Sequence, residues 1–133
     1  EKLRALVKAS SKNRSMTLAL ALSYGSREEI LRAARRLVGS AARGKLRAGQ
    51  VTERLFESML YTAEIPDPDL IIRTGGEKRL SNFLLWQAAY TELVFVRKLW
   101  PDFTEEDLHR AFREYRRRCR RFGLTDEQRK AGK

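Results

Sequence analysis

The densest group of side chains that could bind an anion lies between residues 73 and 82. This stretch reads Arg-Thr-Gly-Gly-Glu-Lys-Arg-Leu-Ser-Asn and supplies three cations together with hydroxyl and amide groups. The guanidinium groups of Arg73 and Arg79 can each bind two phosphate oxygens at once, and Ser81 adds a hydroxyl. Because a diphosphate has enough oxygens for all three groups, the stretch predicts a diphosphate site.

A single carboxylate, Glu92, follows eleven residues after Ser81. A carboxylate near a diphosphate is repulsive unless a hard cation bridges the two, and magnesium is suited to that position. Glu92 is therefore the candidate magnesium ligand. A zinc site is not expected, because the chain has one cysteine, Cys119, and one histidine, His109.

Short apolar runs that end in turns are the predicted strands that position these groups. Residues 16–22 and 70–72 are predicted to be strands buried on both faces, as in a parallel sheet, and 93–96 is a third candidate. The first two runs lead into turns at 24–27 and 73–76 that contain glycine and arginine. Since open α/β sheets bind ligands beyond the C-terminal ends of their strands, both turns are expected at one edge.

Helices are predicted between and around these strands. The first residues share an apolar helical face. A second helix begins at Ser26, where Glu29 completes a capping-box spacing. Its N-terminus is expected to favour a phosphate, and its predicted buried stripe is Ile30, Ala34, Leu37 and Ala41. Further helices follow Thr52 and Thr104. Strands that alternate with helices indicate an α/β fold, and we expect residues 1–133 to form one domain.

The net charge of +11 indicates an anionic partner. Residues 109–133 hold ten Lys/Arg against three Asp/Glu. The arginines of 113–121 spread around the helix instead of forming one stripe, which does not favour a nucleic-acid site. The charge is compatible with weak attraction to a membrane surface. One cysteine, no signal peptide and no apolar run of about 18 residues lead us to expect a cytoplasmic protein.

The run from Arg73 to Leu93 resembles the signature of the cis-prenyltransferase family. That signature is Arg-Thr, a small residue, Gly-Glu, then Arg-x-Ser-x-Phe, Trp-Gln, Tyr and Glu. The resemblance extends upstream through 21–30 and downstream through 99–103 and 120–123. It implies a mostly parallel sheet flanked by helices. It also implies an enzyme of the undecaprenyl-diphosphate-synthase type, which extends an allylic diphosphate with isopentenyl diphosphate and creates cis double bonds.

The family's residue roles transfer to matching positions. Arg73, Arg79 and Ser81 match residues that hold the diphosphate of isopentenyl diphosphate, and Glu92 matches a carboxylate that helps to place magnesium. The Arg121-x-Gly123 element resembles one that reaches across a homodimer to the partner's substrate. The implied product is a polyprenyl diphosphate such as undecaprenyl diphosphate, a cell-wall precursor lipid, made in the cytoplasm or at the inner face of the membrane.

The family's Met-Asp-Gly-Asn segment and its Ser-x-Glu-Asn-Trp segment are not among these 133 residues. We therefore expect the chain to correspond to the C-terminal half of a cis-prenyltransferase domain and to be inactive alone. Two alternatives stay open. One is a non-catalytic partner subunit of the same fold, and the other is a basic nucleic-acid-binding domain.

Overall fold

The structure is a computed structural model and describes residues 2–118. Its elements in chain order are α1 (Lys2–Ser10), α2 (Ser26–Ala42), α3 (Glu53–Glu57), β1 (Leu70–Arg73), β2 (Glu92–Phe95) and α4 (Glu105–Arg117). Short 3-10 turns, Ala48–Gln50 and Trp100–Asp102, precede α3 and α4.

The two strands form a parallel pair, as predicted. Leu70 lies opposite Glu92 and Arg73 lies opposite Phe95, so the C-terminal ends of both strands meet at one edge. Val94 is the buried centre of this pair. The crossover that joins the strands is a series of turns, and it contains the predicted diphosphate-binding residues Arg79 and Ser81. The sheet therefore presents those residues just beyond the end of β1.

The predicted strand at residues 16–22 is wrong for the described chain. These residues have no regular secondary structure, and the sheet of residues 2–118 has two strands only. The large side chains of this segment are 60–79 % exposed; they are Met16, Leu18, Leu20 and Leu22, here called the apolar row. A strand is stable only when its backbone pairs with a neighbour, and β1 and β2 pair with each other instead.

Helix α2 starts at the predicted residue but buries a different face. Its N-cap is Gly25, and the predicted capping box between Ser26 and Glu29 is absent. Both side chains are fully buried and bind distant segments. The buried positions are Ser26, Glu29, Ala33 and Leu37. Of the predicted stripe, Leu37 is buried, Ile30 and Ala34 are half-buried, and Ala41 is exposed. Buried hydrogen bonds, and not apolar periodicity alone, set the rotation of α2.

The N-termini of α3 and α4 follow their sequence signals. Thr52 accepts a hydrogen bond from the Leu55 amide, and Thr104 forms a reciprocal capping box with Asp107. Asp107 is buried and also accepts from the Lys98 ammonium at 2.7 Å. These contacts hold the start of α4 against the segment that follows β2.

Candidate functional site

Arg73 organises the 73–82 loop, which comprises residues 73 to 82 at the end of β1. Its Nη1 donates to the Ser81 hydroxyl at 2.8 Å and to the Arg79 carbonyl oxygen. The loop therefore folds back on the strand, and the structure brings together all three residues predicted to bind diphosphate.

The Arg79 side chain is two-thirds exposed and pairs with Glu77 at 2.9 Å. An ion pair between exposed side chains stabilises a fold by only about 0–1 kcal/mol. An anionic ligand could therefore replace the Glu77 carboxylate at little cost. In this geometry Glu77 orients the Arg79 side chain.

The glycines of this loop serve the turn itself. Gly75 and Gly76 have φ of +91° and +78°, a backbone conformation that side chains rarely allow. Their amides donate to the Lys98 and Val96 carbonyls beyond β2. These amides are already engaged, so a phosphate at this turn would be bound mainly by side chains.

A second contact joins the 73–82 loop to the start of α2. The Ser26 amide donates to the Asn82 carbonyl, and the Arg27 amide donates to Asn82 Oδ1, both at 2.8 Å. The turn at 24–27 therefore meets the 73–82 loop at Asn82 and not at residues 73–76, and because residues 16–22 form no strand, the prediction that both turns share one sheet edge is wrong for the described residues. The expectation that the α2 N-terminus binds phosphate is not supported, because Asn82 accepts its first amides and Glu28 and Glu29 occupy its first turn.

Beneath this contact, Glu29 forms a buried hydrogen-bond centre. Its carboxylate accepts from the Tyr24 hydroxyl and the Tyr61 amide, both at 2.6 Å, and from Gln87 Nε2 at 3.2 Å. Burial, followed by the hydrogen bond to Glu29, raises the pKa of Tyr24. Gln87 also donates to Thr62. This centre fixes the segment after Asn82 against α2, and the sequence reading missed it.

A small cavity of about 250 Å³ opens beside Arg73 and Arg79. Its other walls are mainly apolar and include Ile72, Leu80, Phe83 and Phe95. The arrangement offers cations to an anionic head and a hydrocarbon surface to a short apolar tail. A larger cleft of about 770 Å³ is lined by Leu20, Leu22, Tyr61 and Phe83, and it meets the 73–82 loop at Asn82.

Glu92 lies away from the 73–82 loop within the described chain. Glu92 begins β2 opposite Leu70, whereas Arg73 lies opposite Phe95. Glu92 and Arg73 are therefore separated by three residues along the strand direction, which is roughly 10 Å. The Glu92 carboxylate accepts from Arg118 Nη1 at 3.0 Å, and Arg118 also pairs with Glu114. The bond to Glu92, then that to Glu114, raises the pKa of Arg118.

Two other predictions concern α4 and its continuation. His109 is exposed and lies 3.4 Å from Glu105, one turn away on the same helix. Arg121 and Gly123, predicted to contact substrate, lie outside the described residues, as does Cys119. Their roles stay predictions. Among residues 2–118, no three His, Cys, Asp or Glu side chains are grouped closely enough to hold a metal ion.

Comparison with known proteins identifies the family. Residues 1–123 match the family described as putative undecaprenyl diphosphate synthase. The chain is 53 % identical to the isoprenyl transferase of Geobacter sulfurreducens over 118 residues, which cover 89 % of this chain and 48 % of that protein. It is 55 % identical to the isoprenyl transferase of Rhizobium meliloti over 111 residues, covering 84 % and 45 %. The chain thus spans about half the length of these curated relatives.

Solved structures show the same fold. Lavandulyl diphosphate synthase from Lavandula x intermedia, solved with dimethylallyl diphosphate, matches with a TM-score of 0.85 and 45 % identity, over 90 % of this chain and 52 % of that one. A probable undecaprenyl diphosphate synthase from Campylobacter jejuni matches with a TM-score of 0.74 and 37 % identity, over 92 % and 54 %. The predicted α/β fold class, with a parallel sheet and flanking helices, is confirmed. The chain therefore belongs to the undecaprenyl diphosphate synthase family of prenyltransferases.

Proposed function

We propose that the chain forms the isopentenyl-diphosphate-binding part of a cis-prenyltransferase. The observation that carries the proposal is that Arg73 and Arg79 line a cavity of about 250 Å³ with mainly apolar walls, while Ser81 accepts a hydrogen bond from Arg73. The two guanidinium groups suit a diphosphate, and the cavity suits a five-carbon hydrocarbon body. The second substrate is an allylic diphosphate such as farnesyl diphosphate, and the product is a cis-polyprenyl diphosphate such as undecaprenyl diphosphate.

The proposed reaction makes one carbon–carbon bond in each cycle. The allylic carbon–oxygen bond breaks and diphosphate leaves. The double bond of isopentenyl diphosphate attacks the allylic carbon, and loss of a proton creates the new cis double bond. No covalent bond to the protein is needed. The contribution of Arg73, Arg79 and Ser81 is to hold and orient one substrate, so catalysis depends mainly on positioning and charge stabilisation.

Magnesium is the proposed cofactor, and it would neutralise diphosphate charge. Magnesium sites usually combine one or two carboxylates with substrate phosphates and water. Glu92 is the candidate ligand, but it is bound to Arg118 and starts β2 at the level of Leu70, away from Arg73. The residues of one copy therefore do not fit an ion that touches both Glu92 and a diphosphate at Arg73. No step of the reaction is assigned to the ion.

We also propose that the complete enzyme is a homodimer, with Arg121 and Gly123 near the partner's substrate. A cytoplasmic location, peripheral at the inner face of the membrane, suits an enzyme with a long lipid product. Of the helices in residues 2–118, none has both the length and the apolar character required to cross a bilayer.

Binding and turnover test the proposal separately. Calorimetry should show that the chain binds isopentenyl diphosphate and does not bind isopentenol, because Arg73 and Arg79 recognise the diphosphate. Absence of isopentenyl diphosphate binding would contradict the proposed site. RNA binding with no isopentenyl diphosphate binding would favour the nucleic-acid alternative.

For turnover, the chain is incubated with farnesyl diphosphate, labelled isopentenyl diphosphate and magnesium. We expect no polyprenyl product from the chain alone. Product should appear when the part of the Geobacter sulfurreducens relative that this chain does not match is added as a second polypeptide. The same mixture with an Arg73→Ala chain is the control. Binding without product in the supplemented mixture would favour the alternative of a non-catalytic partner subunit.

A further inference from the structure

Asn82 connects the 73–82 loop to three successive residues of α2. Its carbonyl accepts from the Ser26 amide at 2.8 Å, and its Oδ1 accepts from the Arg27 amide at 2.8 Å. Its Nδ2 donates to Glu28 Oε2 at 3.0 Å. The main-chain carbonyl and both ends of the side-chain amide are therefore engaged by one helix terminus. Asn82 takes the position that an anion would occupy at that terminus.

The backbone on both sides of Asn82 is strained. Ser81, Asn82 and Leu84 have φ of 50°, 63° and 47°, in the left-handed region that residues other than glycine seldom adopt. Such conformations cost free energy and persist only where surrounding contacts determine them. Asparagine tolerates this region best among the three, and Asn82 is also the residue with the bonds to α2. The contacts with α2 are thus well placed to stabilise the strained segment.

Gly25 leaves the space in which this contact forms. A Cβ atom at Gly25 would lie 2.2 Å from Glu28 Oε2 and 2.8 Å from Asn82 Nδ2, closer than real Cβ contacts allow. Its φ of −144° is open to any residue, so close approach, and not backbone conformation, requires glycine here. Gly25, Glu28 and Asn82 therefore form one packed unit, here called the Asn82 clamp.

The Asn82 clamp lies next to Ser81, whose hydroxyl is one of the groups proposed to bind the diphosphate. Ser81 immediately precedes Asn82, and its hydroxyl accepts the 2.8 Å bond from Arg73. If Ser81 left its left-handed conformation, its hydroxyl would point away from Arg73. The guanidinium group would then lose one of the two acceptors that orient it.

We propose that Asn82 is a positioning residue for diphosphate binding. Through Ser26, Arg27 and Glu28, it holds Ser81 in the conformation that pairs with Arg73, and it does so without touching the substrate. The inference rests on the proposed function for its ligand, isopentenyl diphosphate. Its structural part, the dependence of the Arg73 environment on Asn82, stands independently of any ligand.

Four variants separate hydrogen bonding from charge and strain. Asn82→Gly removes the side chain but permits the same φ. Asn82→Asp keeps an acceptor for the Arg27 amide but places a second carboxylate beside Glu28. Asn82→Asp combined with Glu28→Gln has the wild-type net charge and restores the pair with donor and acceptor exchanged. Glu28→Gln alone is the matched control, because its amide oxygen can still accept from Asn82.

Calorimetry with isopentenyl diphosphate measures the effect on the site. Loss of the clamp should weaken binding about 5- to 20-fold in Asn82→Asp and Asn82→Gly, the range expected for one or two hydrogen bonds. The double variant should recover to within about threefold of wild type, and the Glu28→Gln control should bind like wild type. Wild-type affinity in Asn82→Asp, or no recovery in the double variant, would overturn the proposal.

A ligand-free measurement keeps this test separate from the proposed function. The NMR signal of the Arg73 guanidinium should shift in Asn82→Gly and Asn82→Asp and return in the double variant. The Arg27 amide should exchange faster with solvent in Asn82→Gly. If wild type does not bind isopentenyl diphosphate, the proposed function fails while these signals still report the clamp. An Arg73 signal that is the same in Asn82→Gly and wild type would overturn the inference, whatever the ligand.

Discussion

Replacing Arg73 tests the proposed diphosphate site most directly. Its Nη1 already binds two acceptors, the Ser81 hydroxyl at 2.8 Å and the Arg79 carbonyl, so the guanidinium plane is fixed before a ligand arrives. A hydrogen bond to a charged group stabilises a complex by about 1.5–3 kcal/mol. Because Arg73 is only half-buried, we expect Arg73→Ala to cost about 2–3 kcal/mol, or about 30- to 150-fold in affinity for isopentenyl diphosphate. Arg73→Lys keeps the charge but lacks the planar fork, and should cost about 1–2 kcal/mol.

The assay is calorimetric titration with isopentenyl diphosphate at two salt concentrations. Arg36→Ala is the matched control, because it removes the same charge from an exposed position about 15 Å along α2 from Ser26. A loss of similar size in Arg36→Ala would indicate a general effect of net charge. An affinity within about twofold of wild type in Arg73→Ala would refute the site assignment.

Three further predictions concern stability and metal binding. Glu29→Leu leaves the Tyr61 amide and its other donors without an acceptor in a buried place, and should lower the free energy of unfolding in urea by about 2–4 kcal/mol; a loss below about 1 kcal/mol would contradict the structure. The bond from Lys98, followed by bonds from the start of α4, lowers the pKa of Asp107 from 3.8 to about 2. The stabilisation that ionised Asp107 gives to the folded state is therefore complete above pH 3.8 and is lost as the pH falls toward 2. Asp107→Asn should flatten the dependence of the unfolding free energy on pH in that window, and parallel curves for wild type and variant would argue against this. Because Glu92 starts β2 away from Arg73 and is paired with Arg118, Mn²⁺ binding in the presence of isopentenyl diphosphate, followed by electron paramagnetic resonance, should be the same in Glu92→Gln as in wild type; clearly weaker Mn²⁺ binding in Glu92→Gln would contradict that geometry.

The elements that could be predicted are those whose signals are local. Pro66 and Pro68 confine β1 to the residues that follow, and Thr104 with Asp107 marks the start of α4 through a motif four residues long. The 73–82 loop was also predictable, because its three ligand-binding candidates lie within nine residues of one another. Family resemblance then supplied roles that spacing alone did not.

The rest depends on partners far away in sequence. Ser26 and Glu29 have the spacing of a capping box, but their side chains bind Leu85 and Tyr61, which are 59 and 32 residues away. Three-dimensional contact therefore overrides a valid local motif. Asn82 gave no signal either, since its role lies in bonds to residues more than 50 positions earlier. The strand predicted at 16–22 is absent because an apolar run indicates burial but does not show whether a strand is available to pair with it.

The apolar row has a consequence for how the chain behaves in the cell. Residues 16–22 contain seven consecutive positions without charge or proline, and their leucines alternate with small or hydroxyl side chains. Exposed segments of this kind can form cross-β stacks with other chains. The nearest charges that could oppose such stacking are those of Lys12 and Arg14, just upstream. We therefore expect residues 16–22, while they stay uncovered, to be a segment through which this chain aggregates.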